Sequence, residues 1–285
     1  MQFRVNPLDE IDFYKAGHYA QYPENTIEIF SNFTPRSTRT GFDKVVVMGI
    51  QMLIHDIHQN WKTGFFDLSE EEIMEELEEY RDFMDSTIYP EAVNVDHILE
   101  VWKLGYLPLE IKAIEEGILT KVGVPVMTIR NTHPSAYWLV NYLETKISNA
   151  LWKPITSATT AFQYLKTFHH YADITGANLE FIKFQGHDFS YRGMSGNEDA
   201  ISSGIGHLSC FAGTDTVPAI KAAEYYGYGS WRKQLIGCSV VATEHSVQCA
   251  GGITHGNEID EVEEEFDELT QTWKIVNYLK DGKIV

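Results

Sequence analysis

The amino-acid sequence predicts an α/β protein. Its first half mixes helical periodicity with strands of alternating polarity, which is typical of an α+β arrangement. From about residue 180, short apolar segments alternate with glycine-rich turns and helical stretches. This second pattern is typical of βα units that carry functional loops at the ends of their strands.

The clearest predicted helix spans residues 69–84. Ser69 and Glu72 have the spacing of a capping box, in which each side chain satisfies a backbone N–H of the other residue. Apolar residues follow at helical spacing, at Ile73, Leu77 and Tyr80. The opposite face carries a run of glutamates, and we interpret it as a solvated helix face.

An antiparallel pair of strands is predicted within residues 107–131, because apolar and polar residues alternate there on both sides of a glycine-containing turn. Helical spacing returns over residues 135–151. A separate helix is predicted over residues 159–172, and Gly176 is expected to end it.

Later elements are predicted from shorter signals. Apolar runs predict strands at residues 181–184 and 239–242. Residues 260–268 are dominated by Asp and Glu, and we interpret them as a solvated helix followed by a turn and a strand.

Composition limits the classes of function. The chain has 285 residues, a formal net charge of −19, and 44% hydrophobic residues, enough for a folded core. The acidic balance argues against a general nucleic-acid binder and against an anionic membrane surface, since both need a basic face. No apolar run reaches the roughly 18 residues of a membrane span. A small anionic ligand in a local cationic pocket stays possible.

Cysteines, histidines and glycines exclude several site types. Three cysteines without a CxxC pair indicate neither a disulfide framework nor a zinc knuckle. The histidine pairs lack a third ligand at metal-site spacing, so we expect no protein-built metal site. Neither a GxGxxG nor a Walker A loop occurs. The first residues lack the apolar stretch of a signal peptide, and we expect a cytoplasmic protein.

Four polar clusters are candidates for chemistry, and the first two contain aromatic residues. Residues 12–23 combine Asp, Tyr, Lys and His in a short segment. In residues 187–198, Phe189 offers a stacking face for a flat ring, and the Arg192 guanidinium is suited to a phosphate. A strand end with a surface arginine is an equally good interpretation of this second cluster.

The other two clusters follow predicted strand ends. Asp215 lies in a glycine-containing turn between two threonines, where it either caps a helix or accepts from an amide or ribose hydroxyl. The apolar segment 239–242 leads directly into Glu-His-Ser, which places His245 where barrel enzymes carry catalytic groups. A structural histidine is the alternative interpretation.

The four clusters in this order resemble the nicotinamide phosphoribosyltransferase family. The family's N-terminal signature is matched by Asp12, Tyr14, Lys15, His18 and the Gln-Tyr-Pro of residues 21–23. The other matching segments are residues 131–134, 137–139, 152–156, 187–193, 207–208, 211, 213–216 and 244–246. The resemblance covers about residues 10–256.

The resemblance implies a fold, a reaction and its cofactors. The fold is the type II phosphoribosyltransferase kind, with an N-terminal α+β domain at residues 1–155, an incomplete α/β barrel with catalytic loops at 156–256, and an acidic divergent tail at 257–285. The reaction converts nicotinamide and phosphoribosyl pyrophosphate into nicotinamide mononucleotide and pyrophosphate, in NAD salvage. It uses substrate-bound Mg²⁺ and, optionally, ATP. A homodimer is also implied.

The resemblance also assigns roles to individual residues. Phe189 and Tyr14 sandwich the nicotinamide ring, with Tyr14 coming from the partner subunit and Asp12 beside it among the substrate-binding residues. Asp215 accepts from the carboxamide, and Arg192 lies by the ring and the phosphate. His245 is the residue that becomes phosphorylated. The remaining residues line the tunnel for the pyridine, namely Ser239, Val240 and Ala242.

The sequence also departs from the family. Phe13, Gly17 and Cys238 replace the usual residues of their motifs. Family chains are much longer, and the Arg-Pro-Asp-Ser-Gly strand of their second half does not occur here. We expect either a truncated product or an internal deletion. The deletion is slightly favoured, because the last residues resemble the family's C-terminal hairpin.

Two alternative functions remain open. One is transfer to nicotinate instead of nicotinamide, although the Asp215 carboxylate favours the amide. The other is a non-catalytic fragment or a half-enzyme that needs a second chain.

Overall fold

A computed structural model of the chain describes residues 5–38, 41–91, 93–256, 261–268, 272–280 and 283–284. The chain divides into two compact units, Met1–Cys238 and Ser239–Val285. Among the described residues, no helix has both the length and the apolar character needed to cross a bilayer.

The first part of unit 1 is a mixed helix–strand region. Its strands are β1 (Phe30–Phe33), β2 (Lys44–Val46), β3 (Leu109–Ala113), β4 (Leu119–Lys121) and β5 (Met127–Asn131). Its helices are α1 (Ile50–Trp61), α2 (Glu70–Thr87), α3 (Asp96–Trp102), α4 (Leu139–Tyr142) and α5 (Glu144–Thr175).

Antiparallel pairing organises these strands. The order of one sheet is β1-β5-β3, and β2 pairs with β4 in a second ladder. The predicted pair within residues 107–131 is confirmed, since β3 and β5 pair in the register Ile111↔Ile129. Met127, Ile129 and Asn131 are buried while the residues between them are half-buried, so β5 turns one face to the core.

The capping box at the start of α2 is confirmed. Ser69 Oγ accepts from the backbone N–H of Glu72, and the Glu72 carboxylate accepts from the backbone N–H of Ser69. The predicted apolar stripe is buried at Ile73, Leu77 and Tyr80. It packs into a core whose largest fully buried side chains include Trp61 and Phe65.

Helix α5 corrects the prediction of two separate helices over residues 135–151 and 159–172. It runs without interruption from Glu144 to Thr175 with Pro154 in its interior, and it ends at the left-handed Gly176 as predicted. Two glycines approach the proline turn closely. A Cβ on Gly49 would lie 2.5 Å from Pro154 Cγ, and one on Gly206 would lie 2.6 Å from the Pro154 carbonyl oxygen. Tertiary packing here outweighs the usual helix-breaking effect of proline.

The second part of unit 1 contains parallel strands joined by helices. Strand β6 (His187–Asp188) is followed by α6 (Asn197–Leu208), β7 (Gly213–Thr214) and α7 (Val217–Tyr225). The strands β6 and β7 pair in parallel, and Cys238 continues the order through a parallel bridge to Gly213. These are the βα units that the sequence predicted after residue 180.

Two predicted strands are corrected. Residues 181–184 lie in the 3-10 helix Leu179–Phe184, which begins where Asn178 accepts from the backbone N–H of Glu180 at 2.9 Å. Only Ile182 of its apolar residues is buried. Residues 239–242 form no strand and are exposed, because the parallel bridge falls one residue earlier, at Cys238.

Unit 2 contains α8 (His245–Gly256) and the strands β8 (Glu261–Asp267), β9 (Thr272–Lys280) and β10 (Lys283–Ile284). The prediction of a helix over residues 260–268 is wrong for residues 261–267, which pair antiparallel with β9; Asp260 lies outside the described residues. This strand keeps Glu263, Glu264 and Glu265 exposed, so the acidic run is solvated without being helical. The predicted closing strand corresponds to β10, which pairs antiparallel with β9, while the residues between these two strands lie outside the described ones.

Candidate functional site

The residues of the candidate site follow β6 and β7 directly. Phe189 comes after the last residue of β6, and Asp215 comes after the last residue of β7. Because parallel neighbours end at the same edge of a sheet, the two side chains are brought to one place. The Asp215 backbone N–H donates to the Asp188 carbonyl at 2.9 Å, which joins the two strand ends.

His187 connects the aromatic and the carboxylate of this site. Its Nε2 lies 2.7 Å from Asp215 Oδ1, and its ring stacks on Phe189 with centroids 4.4 Å apart and planes 22° apart. Phe189 remains 64% exposed. A flat apolar face is therefore available beside a carboxylate acceptor whose position is fixed.

The alternative interpretation of Asp215 as a helix cap is not supported by the structure. Thr216, not Asp215, occupies the N-cap position of α7, and the Thr216 side chain makes no cap hydrogen bond there. The Asp215 carboxylate is instead paired with His187.

Asp188 is a buried carboxylate that holds the loops on both sides. Its Oδ1 accepts from the Ser190 N–H at 2.9 Å and hydroxyl at 2.6 Å, while Oδ2 accepts from the Thr216 hydroxyl at 2.7 Å. Desolvation, the largest single effect, raises the pKa of Asp188, but these hydrogen bonds and the nearby His207 leave it lowered. Asp188 therefore has a structural role, since it connects the loop after β6 to the start of α7.

His207 of α6 forms a hydrogen bond to the backbone of β7. Its Nε2 lies 2.8 Å from the Gly213 carbonyl oxygen, to which it donates. Desolvation lowers the pKa of His207, although the Gly213 contact and Asp188 act in the opposite direction. The sequence places His187 and Asp188 in the second cluster but does not show their contacts, because Asp215 and Thr216 follow a different strand.

Arg192 lies on a loop, residues 189–196, that is tied down at several points. Tyr191 donates to Asn197 Oδ1 at 2.7 Å, and the Ser195 N–H donates to Asp199 Oδ2 at 3.0 Å. Lys153 of α5 lies 3.1 Å from Asp199 Oδ1. Arg192 itself is exposed, and no carboxylate in the described part of the chain lies within ion-pairing distance of it. The guanidinium is thus available to an anion.

The N-terminal candidates lie apart from this loop. Tyr14 is 59% exposed, and its ring contacts His18 at a centroid distance of 5.2 Å. Among the described residues, Tyr14 and Phe189 make no ring contact within one chain. Asp12 accepts from the Thr145 hydroxyl at 2.6 Å.

The remaining predicted site residues belong to unit 2. Ser239, Val240, Ala242 and His245 are all exposed, and His245 is the first residue of α8. Their part in the site stays a prediction.

A separate cleft of about 1170 Å³ lies in the first part of unit 1. Its walls are β1, the following loop to Thr38, and the face of α5 that carries Glu144, Ser148 and Trp152. None of the residues predicted for the site lines it.

The described residues contain no group of three or more His, Cys, Asp or Glu side chains that could hold a metal ion. At the candidate site, both oxygens of Asp188 already accept hydrogen bonds, and Asp215 is paired with His187. This donor set does not form a cation site of its own.

Two family models match different parts of the chain. The model described as "Nicotinamide phosphoribosyltransferase, N-terminal domain" matches residues 6–111. The model described as "Nicotinate phosphoribosyltransferase (NAPRTase) family" matches residues 184–282. The second match continues past residue 256 into the segment expected to be divergent.

Individual relatives match most of the chain. It is 48% identical over 258 residues to a nicotinamide phosphoribosyltransferase of Acinetobacter baylyi, covering 88% of this chain and 50% of the relative. It is 28% identical over 284 residues to that of Xanthomonas campestris pv. campestris, covering 99% and 56%. The chain therefore spans about half the length of the relatives it matches.

A solved structure shares the fold. Human nicotinic acid phosphoribosyltransferase superposes with a TM-score of 0.55 at 14% identity, covering 84% of this chain and 40% of that chain.

Proposed function

We propose that this nicotinamide phosphoribosyltransferase-like chain, which has the predicted type II phosphoribosyltransferase fold, transfers the phosphoribosyl group of phosphoribosyl pyrophosphate to nicotinamide. The products are nicotinamide mononucleotide and pyrophosphate, as in NAD salvage. The observation that carries the proposal is the exposed Phe189 face beside the Asp215 carboxylate, which His187 holds in place.

The nicotinamide ring is proposed to stack on Phe189. A flat neutral ring is well held between two aromatic faces, and the second face is assigned to Tyr14 of a second copy. Two observations support this assignment. Tyr14 is exposed, and its ring makes no contact with Phe189 among the described residues of one chain. A homodimer in the cytoplasm is part of the same proposal.

Asp215 is proposed to select the amide. Its carboxylate accepts from the carboxamide N–H₂, whereas it would repel the carboxylate of nicotinate. The hydrogen bond from His187 supports this role, because it restricts the orientation of the acceptor.

Arg192 is proposed to bind the phosphate of the sugar. The pyridine nitrogen attacks C1 of the ribose, the bond from C1 to the pyrophosphate oxygen breaks, and its electron pair leaves with pyrophosphate. The ribose becomes cation-like in the transition state. Holding the attacking pyridine nitrogen and the leaving pyrophosphate oxygen in line with C1 therefore accounts for much of the rate. A planar guanidinium pairs well with phosphate oxygens.

The proposal also includes Mg²⁺, bound to a substrate, and ATP. The donor set described above does not fit a protein-built Mg²⁺ site, so we assign Mg²⁺ to the pyrophosphate of the incoming substrate. Phosphorylation of His245 by ATP, and a pyridine tunnel lined by Ser239, Val240 and Ala242, belong to the same proposal.

Product formation by the purified chain tests the proposal. The assay supplies nicotinamide, phosphoribosyl pyrophosphate, Mg²⁺ and ATP, and it compares Phe189→Ala with Phe181→Ala, a matched change at an exposed phenylalanine outside the site. We expect nicotinamide mononucleotide from the chain and from Phe181→Ala, and a loss of about tenfold or more in kcat/KM for Phe189→Ala. Equal activity of the two variants would remove Phe189 from the site.

Two alternatives have their own support. The family model over residues 184–282 and the human structural neighbour both carry nicotinate or nicotinic acid in their names, so nicotinate is assayed in parallel. The chain spans about half of its relatives, so an inert folded chain is assayed again with a polypeptide that carries the remaining part of a relative. Activity only in that mixture would indicate a half-enzyme.

A further inference from the structure

Two ion pairs join the N-terminal segment, residues 10–16, to the start of α5. The Lys15 ammonium donates to the Glu144 carboxylate, and the Lys146 ammonium donates to the Glu10 carboxylate. The Lys15 side chain is only 4% exposed while its partner Glu144 is 57% exposed, and the side chains of Lys146 and Glu10 are 20% and 17% exposed. Water therefore screens the Lys146–Glu10 pair, and the Lys15 end of the other pair, less than it screens ordinary surface pairs.

A third contact lies between these two ion pairs. Thr145 Oγ1 donates to Asp12 Oδ2 at 2.6 Å, and the Asp12 backbone N–H donates to the same hydroxyl oxygen at 3.3 Å. Asp12 occupies the N-cap position of the 3-10 helix Phe13–Lys15, yet its side chain makes no cap there. An aspartate at an N-cap usually binds its own helix. Here its carboxylate is committed to α5 instead.

This arrangement leaves Tyr14 and its neighbour Phe13 exposed. They are 59% and 54% exposed, whereas Lys15 and Ala16, which follow, are each 4% exposed. The Phe13 ring stacks on Phe83, and the Tyr14 ring contacts His18.

Ordering an irregular segment costs conformational entropy, so contacts that flank Tyr14 in sequence favour one direction of the backbone that carries its ring. Three successive residues of α5 supply those contacts, to Glu10, Asp12 and Lys15.

We infer that Glu144, Thr145 and Lys146 are positioning residues that fix the direction of the Tyr14 ring for the nicotinamide site. This inference rests on the proposed function, in which Tyr14 covers one face of the pyridine. It also gives Asp12 a different task from the predicted substrate contact, since Asp12 acts on the ring only by anchoring the segment that carries Tyr14.

Thr145 offers the cleanest test, because a small substitution removes only its hydroxyl. Thr145→Ala removes both contacts to Asp12, and Thr145→Ser keeps them. Thr167→Ala is the matched control, since Thr167 lies exposed on the same helix and bonds only the Gln163 carbonyl at 3.0 Å. Amide hydrogen exchange of the full chain is followed by mass spectrometry.

We expect exchange over residues 10–16 to become about tenfold faster in Thr145→Ala, with α5 unchanged. Thr145→Ser and Thr167→Ala are expected to match the unaltered chain. Unchanged exchange in Thr145→Ala would overturn the inference, as would equal acceleration in Thr145→Ser.

The KM for nicotinamide distinguishes a positioning role from a purely structural one, because a purely structural role would leave it unchanged. For Thr145→Ala we expect the KM for nicotinamide to rise about five- to tenfold, with little change in the KM for phosphoribosyl pyrophosphate. Faster exchange with an unchanged nicotinamide KM would overturn the inference. If the unaltered chain neither binds nor converts nicotinamide, the proposed function fails, while the exchange result still decides whether these residues hold the segment.

An exchange of charges gives a second, independent variant. Glu10→Lys alone places two cations together, whereas Glu10→Lys with Lys146→Glu restores an attractive pair in reverse order. We expect the single variant to accelerate exchange over residues 10–16 and the double variant to recover most of the protection. A double variant as unprotected as the single one would contradict the role of Lys146.

Discussion

His187 Nε2 lies 2.7 Å from Asp215 Oδ1, and the same imidazole stacks on Phe189 with a centroid distance of 4.4 Å. One side chain on β6 therefore sets both the carboxylate at the end of β7 and the aromatic face at the end of its own strand. The backbone bond from the Asp215 N–H to the Asp188 carbonyl keeps the two strand ends together. The aromatic face and the carboxylate are thus coupled through His187.

Replacing His187 by phenylalanine separates these two functions. His187→Phe keeps a flat ring for Phe189 and loses the hydrogen bond to Asp215, so we expect nicotinamide to bind about tenfold more weakly. His187→Gln is the control, because its amide can still donate to the carboxylate. Isothermal titration with nicotinamide measures the effect. Equal affinity of His187→Phe and the unaltered chain would mean that Asp215 needs no support from His187.

Replacing Asp215 by asparagine tests the choice between the two pyridines. Asn can accept from the carboxamide and also donate to a carboxylate, so the repulsion of nicotinate disappears. We expect the ratio of kcat/KM for nicotinamide over nicotinate to fall about tenfold or more. The control is Asp82→Asn, since Asp82 is 73% exposed on the acidic face of α2. A ratio that stays the same, or an unaltered chain that prefers nicotinate, would contradict the role of Asp215.

Much of this architecture follows from local sequence signals. The capping box at Ser69 and Glu72 and the apolar stripe behind it predict α2, and Gly176 ends α5 as expected. The alternation in β3 and β5 likewise gives their pairing. The helix ends are predictable because their capping contacts lie within a few residues of each other, and the strand pair is predictable because each strand carries its own alternation of polarity.

The corrected elements depend on distant parts of the chain. Pro154 lies inside a continuous helix, in a turn that Gly49 and Gly206 approach closely, and residues 261–267 form a strand because residues 272–280 pair with them. The motif residues Phe189 and Arg192 were visible in sequence. His187 was not singled out, because its partner Asp215 lies 28 positions away and meets it only through parallel pairing.

His97 makes the stability of the fold depend on pH. It is 4% exposed and stacks on Tyr19 at a centroid distance of 3.9 Å, and desolvation lowers its pKa from 6.5 to about 3. Between these values the unfolded chain binds more protons than the folded chain, so the free energy of unfolding falls as pH decreases from 6.5 towards 3. At pH 5, this histidine costs about 2 kcal/mol of stability relative to pH 7.

Phenylalanine at position 97 keeps the stacked ring and removes the titration. We expect His97→Phe to lose about 2 kcal/mol less than the unaltered chain between pH 7 and pH 5, as measured by urea unfolding at each pH. The control is His58→Phe, since His58 is exposed on α1. Parallel pH profiles for His97→Phe and the unaltered chain would show that His97 does not carry this dependence.

Gly213 tests whether close strand approach is what holds the site together. A Cβ at this position would lie 2.8 Å from the Gly186 carbonyl oxygen and 2.8 Å from His187 Nδ1. Neither atom belongs to a flexible side-chain end, so β6 and β7 must separate to admit the methyl group. We expect Gly213→Ala to lower the free energy of unfolding by about 1–3 kcal/mol.

The same substitution should also weaken nicotinamide binding, because it pushes His187 away from Asp215. Gly193→Ala is the matched control, since a Cβ there meets no atom within 4 Å. Urea unfolding and nicotinamide titration of both variants separate the two effects. If Gly213→Ala is as stable as Gly193→Ala and binds nicotinamide equally well, the strands tolerate a wider spacing and the His187–Asp215 contact does not depend on it.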